Sequence, residues 1–129
     1  MKIKNLISYA GFFSLLLILN FCAPKINDSR TEKIKFDFSQ LNEEGMTGEG
    51  ENLVAVDYEF CIPKSDSLKE IVSSIDSSVK FFAQSKGRIG CDKNEILCVG
   101  NSRQKNAKET LIKLAELDFV KKIERTFYE

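Results

Sequence analysis

The chain has 129 residues, too few for two ordinary globular domains, and its 19 Lys plus Arg balance 19 Asp plus Glu. One small domain is expected, and no strong field draws it to nucleic acid. Histidine is absent, which removes the commonest general base and the commonest metal ligand, and with them ordinary catalytic triads and His-ligated zinc.

In chain order the first element is an export signal. Residues 1–5, MKIKN, set Lys2 and Lys4 ahead of a 14-residue, mostly apolar run from Leu6 to Leu19, the pattern of a signal peptide. As a helix that run reaches about 21 Å, short of a hydrocarbon core of about 30 Å. An uncut membrane helix with Cys22 as one of its apolar residues is the alternative; in either case the basic end stays in the cytoplasm and the remainder is exported. Directly after the run, Leu19-Asn20-Phe21-Cys22 resembles the lipobox of bacterial lipoproteins, in an atypical form with Phe21 where a small residue is usual. The resemblance covers residues 1–22. It implies cleavage before Cys22, acylation of Cys22 and attachment to a membrane of the bacterial envelope; Ala23 rather than Asp after the cysteine implies the outer membrane, facing the periplasm or the surface. Cleavage leaves 108 residues at a net charge of −2.

Residues 22–52 are predicted to be a polar tether, because Gly45, Gly48 and Gly50 lie among Glu43, Glu44, Glu49 and Glu51 and such composition buries little apolar surface. Only KIKFDF, residues 33–38, alternates, with Ile34, Phe36 and Phe38 on one side, as a short strand able to dock on the domain's edge.

The domain itself is expected over 53–129. NLVAVDYEFCIP alternates Val54, Val56, Tyr58, Phe60 and Ile62 against Ala55, Asp57, Glu59 and Cys61, a strand with one buried face that Pro63 ends. Leu68, Ile71, Val72 and Ile75 then fall at helical spacing, with Ser67 and Glu70 as a capping box. SVKFFAQSKGRIG reads as a second strand broken by Gly87 and Gly90, and EILCVGN as a third that forms a hairpin with it. A helix from Ser102 carries Ala107, Leu111, Leu114 and Ala115, with GNS, residues 100–102, as strand exit and helix cap. FVKKIERTFYE closes the chain as a strand. The order β-α-β-β-α-β is that of an α+β, ferredoxin-like domain: an antiparallel sheet in order 4-1-3-2 with both helices on one face.

With Cys22 spent on lipid, Cys61, Cys91 and Cys98 remain, enough for one disulfide and one free thiol in an oxidising envelope. Taking the first and third strands as parallel neighbours favours Cys61 with Cys98; Cys91 with Cys98, or no bridge, are the alternatives. There is no C-x-x-C spacing, so metal binding or redox catalysis has little support from the cysteines.

Three further features are candidate sites. Asp57 and Glu59 share a face of the first strand, where they could do acid–base work or bind Ca²⁺, or merely form a solvated face paired with Lys122 or Arg125. Lys86, Gly87, Arg88 and Gly90 form a possible anion-binding loop, though a turn needing positive φ also explains both glycines. Phe82 or Tyr128, if exposed on the open sheet face, would mark a protein–protein surface. The sequence therefore predicts a non-catalytic envelope lipoprotein without cofactor or metal, membrane-bound through its lipid and engaging an envelope protein or serving a structural role. The rival reading is a thiol-dependent redox or metal-handling domain using Cys61, Cys91 or Cys98; a third is a ligand-sensing module with a pocket at Lys86 and Arg88.

Overall fold

The computed structural model describes residues 29–127; the signal segment, Cys22 and Tyr128 lie outside them. The elements in chain order are β1 (Met46–Thr47), β2 (Val54–Ala55), β3 (Asp57–Pro63), α1 (Asp66–Ile75), β4 (Lys80–Phe82), β5 (Glu95–Asn101), α2 (Ala107–Glu116) and β6 (Glu124–Thr126). Two short 3₁₀ turns, Thr31–Lys33 and Phe38–Gln40, precede them.

The fold is α+β: a four-stranded sheet in the order β4-β5-β3-β6 and a two-stranded β1-β2 sheet, every ladder antiparallel. β3 and β5 were expected to run parallel and do not. Between them the chain passes through α1 and β4, reversing three times, so β5 returns against β3. Their register sets Phe60 opposite Cys98 and Cys61 opposite Leu97. Because successive side chains alternate in facing, Val56, Tyr58, Phe60, Ile62, Ile96 and Cys98 enter one core with Val72 of α1 and Leu111, Leu114 and Ala115 of α2.

Several sequence expectations shift at their ends. α1 is capped by Ser65, whose hydroxyl accepts Leu68 N–H at 3.4 Å, two residues before the expected Ser67. Val54 leaves the buried face and is 52 % exposed, because it pairs in β2 with Thr47. Ser102 caps no helix: α2 starts five residues later, after Asn106 at φ +59°. β4 and β6, at the places of the expected second and last strands of the domain, are three residues each.

The largest difference lies in the segment expected as a tether. From Thr31 onward it packs on the domain. Ile34 bridges Ile123, with Lys35 N–H donating to Ile123 C=O and Ile123 N–H to Lys33 C=O, both at 2.8 Å. Ile34 and Leu41 are buried in the main core, and Phe36 and Phe38 pack against it. The docking expected for Ile34 occurs, as an isolated bridge beyond β6 rather than as a strand.

Ser102 then fastens the β1–β2 arm. Its buried hydroxyl accepts Val56 N–H and donates to Gly45 C=O, each at 2.7 Å. Gly45 has φ +76°, and a Cβ there would fall 1.5 Å from Ser102 O. Glycine is required at this contact both by its backbone conformation and by the close approach.

Candidate functional site

The face of the sheet away from the helices is not bare. Residues 83–94, between β4 and β5, fold back across it and are held in two ways. Cys91 forms a disulfide with Cys61, with Cα atoms 5.5 Å apart, and the Glu59 carboxylate accepts Ile89 N–H at 2.6 Å. Gly87 and Gly90 take φ of +63° and +82°, the positive φ that the turn reading assigned them. At Gly87 a Cβ would come within 2.6 Å of Leu97 Cδ1 and 2.9 Å of Glu59 Oε2, so the missing side chain lets this backbone lie on the sheet.

The disulfide corrects the expected pairings. Cys98 stands on the helix side of β5 and Cys61 on the opposite side of β3, so neither Cys61–Cys98 nor Cys91–Cys98 can close. Cys98 is a free, fully buried thiol. Burial pushes its pKa up to about 12, against a smaller opposing influence of Lys69, which keeps it protonated and a poor nucleophile.

The paired carboxylates also differ from a solvated face. Glu59 is only 3 % exposed beneath the loop, and Asp57 accepts Asn101 Nδ2 at 2.6 Å. Neither is paired with Lys122, which bridges to Glu124 at 2.9 Å, or with Arg125, whose guanidinium lies 4.8 Å from the Phe127 ring centre. Each carboxylate is committed to a neutral donor within the fold. No group of three or more potential metal-ligating side chains occurs among the described residues.

Between the loop and β6 an open groove of about 640 Å³ remains. Leu97 and Val99 of β5 make its floor; Phe82, 43 % exposed, and Phe127, 57 % exposed, flank it. Lys86, Gly87 and Arg88 line the loop side, so three of the four residues of the predicted binding loop meet here. Gly90 instead lines a cleft of about 110 Å³ beside Cys61, Lys121 and Lys122. Thr126 lines the groove as well, and its buried hydroxyl has no hydrogen-bond partner among the described residues.

Sequence reasoning flagged Lys86, Arg88 and Phe82 but not the floor. Its signal was present: Leu97 and Val99 are apolar at positions that alternation sends to the supposedly solvated face. A hydroxyl in the groove, Ser85 Oγ, accepts Gly87 N–H at 3.3 Å, and with no histidine in the chain it lacks an imidazole base. The arrangement of exposed aromatics, an aliphatic floor and cationic edges suits contact with another molecule.

On the core side of the sheet a polar cluster closes one end of the domain. Tyr58 Oη donates to the fully buried Asp76 carboxylate, which also accepts Ser78 N–H at 3.0 Å, Ser78 Oγ at 2.6 Å and Gln104 Nε2 at 3.1 Å. Burial first, and the Asp76 charge second, hold the Tyr58 phenol well above the ordinary tyrosine range. Every oxygen is satisfied, as a structural cluster requires. No family model matches this chain, and no curated protein or solved structure is detectably similar to it.

Proposed function

We propose that this protein is a bacterial envelope lipoprotein, anchored by acyl chains on Cys22 and sorted to the outer membrane, whose α+β domain is a non-catalytic binding module. The signal-like residues 1–21 and the Leu19-Asn20-Phe21-Cys22 pattern support the anchor. The strand order β6-β3-β5-β4, with a helix before β4 and another before β6, supports reading the body as ferredoxin-like. The observation that carries the binding role is the pair of exposed phenylalanines, Phe82 and Phe127, flanking the Leu97–Val99 floor. Large apolar groups gathered on an otherwise polar surface cost solvation free energy until a partner covers them. The reading needs no cofactor, and nucleic acid is a poor partner for a groove that buries Glu59. Thiol chemistry is disfavoured, because Cys61 and Cys91 are bonded to each other and Cys98 is buried and protonated.

Two measurements test this reading. Mass spectrometry of the membrane-extracted protein should show loss of residues 1–21 and acylation at Cys22, and Cys22→Ser should release the protein from membranes. A photo-crosslinking amino acid at position 82, in cells with the anchor intact, should capture a reproducible envelope protein. The same group at exposed Ser73 on α1 should capture none. Full-length, unacylated protein in the cytosol would overturn the anchor, and equal crosslinking from both positions would overturn the groove.

A further inference from the structure

Cationic side chains outnumber acidic ones on the groove and the hollow beside it: Lys80, Lys86 and Arg88 against Glu59 and Asp57, of which Glu59 is buried. The acid of the groove, Glu59, and the acid of the hollow beside it, Asp57, accept hydrogen bonds from neutral donors, Ile89 N–H and Asn101 Nδ2. Lys80 and Lys86 have no ion-pair partner among the described residues. Lys80 lines that hollow, of about 400 Å³, which shares Phe82 and Val99 with the groove, so the two form one continuous surface. Lys86 stands on its loop side.

Accordingly, we infer that this surface binds an extended, acidic and apolar segment of a partner protein. Its apolar side chains lie on Val99, Phe82 and Phe127, and its carboxylates meet Lys80 and Lys86. Opposite charge at unpaired lysines steers and orients such a segment, while the aromatics supply most of the contact energy. Two open hollows joined at Phe82 and Val99 fit an extended chain, whereas an acyl chain needs enclosure. A second copy of this protein fits less well, since a two-fold groove-to-groove contact would set the unpaired lysines of each copy against those of the other. The inference rests on the groove being a binding surface and adds the chemistry of its partner.

A displayed library of random octapeptides panned against the full chain in detergent micelles tests it, with the enriched peptides then measured by fluorescence polarisation. Enriched sequences should interleave Asp or Glu with Leu, Val or Phe. Their affinity should fall about tenfold in Phe82→Ser and in the double variant Lys80→Gln/Lys86→Gln, and should weaken as salt rises from about 50 to about 500 mM. All three positions are exposed, so the variants should melt like the parent.

Neutral or basic peptides that still lose affinity in Phe82→Ser would overturn the acidic class and leave the groove as a binding surface. No enrichment, or binding indifferent to Phe82→Ser, would overturn the inference. If position 82 also captured no partner in cells, the binding role would fall with it. A dimer in sedimentation that Phe82→Ser dissociates would assign the surface to a second copy and overturn the inference.

Discussion

Two residues, Cys98 and Gly100, decide what the centre of the sheet tolerates. Cys98 is sealed against Phe60, and burial holds its thiol near 12 from an ordinary value of 9.0. Cys98 in native protein at pH 8 should therefore resist alkylation by iodoacetamide and should label only after denaturation. Below pH 9 the thiol is protonated in both states and contributes no pH dependence. Between about pH 9 and pH 12 the unfolded chain loses a proton that the native protein keeps, so this group lowers stability by up to about 1.4 kcal/mol per pH unit. Urea titrations at pH 8 and 10.5 should show that loss in the parent and a smaller one in Cys98→Ala. Gly100 answers a different need. A Cβ there would lie 2.4 Å from Tyr58 Cε2 and 2.8 Å from Tyr58 Oη, so Gly100→Ala must displace the ring and its bond to Asp76. Overpacking and a lost buried hydrogen bond together should cost about 3 kcal/mol by chemical denaturation.

Among the elements, the loop 83–94 combines local turns, with Cys91 N–H donating to Lys86 C=O and Asn94 N–H to Asp92 Oδ1, each at 2.7 Å, with ties to the strands beside it. The Cys61–Cys91 disulfide and the Ile89 N–H bond to Glu59 fix it to β3, and Asp92 N–H donates to the Glu95 carboxylate of β5 at 3.4 Å. Replacing Cys61 and Cys91 together by Ser should lower stability by about 2–4 kcal/mol. Amide exchange should accelerate across 83–94 while β3 and β5 stay protected, and equal acceleration in all three would show that the disulfide supports the sheet itself. This loop also marks where sequence reading stopped. The core face of β3 and most of the α1 stripe were legible, because alternation and 3.6-residue spacing record burial by one large core; Ile71, expected on that stripe, is 41 % exposed. Cysteine pairing was not, because it depends on whether β3 and β5 run parallel and on where a long loop travels. Residues 31–52 misled for a related reason: apolar side chains are few in a polar stretch, yet Ile34, Phe36, Phe38 and Leu41 suffice when a preformed core receives them.

At the scale of the whole molecule, the folded arm changes what an anchor at Cys22 would mean. A 30-residue tether would let the domain roam, but packing begins at Thr31, nine residues after Cys22. Nine residues span at most about 32 Å, comparable to the diameter of a domain this size, so an acylated Cys22 would keep the domain next to the bilayer. The arm's hold on the body is therefore also its hold on this placement. Truncating Ile34 and Leu41 to Ala should each cost about 2–4 kcal/mol by urea denaturation. In lipid vesicles, energy transfer from a fluorescent amino acid at position 127 to headgroup-labelled lipid should be strong for the acylated parent. Inserting twenty Gly/Ser residues between Asp28 and Ser29 adds a coil of about 25 Å root-mean-square span and should weaken it. Ile34→Ala/Leu41→Ala, by loosening the arm, should weaken transfer in the same direction while the β3–β5 amides remain protected. Transfer unchanged by the insertion would mean that contacts of the domain with the bilayer, and not the short connection, set its distance.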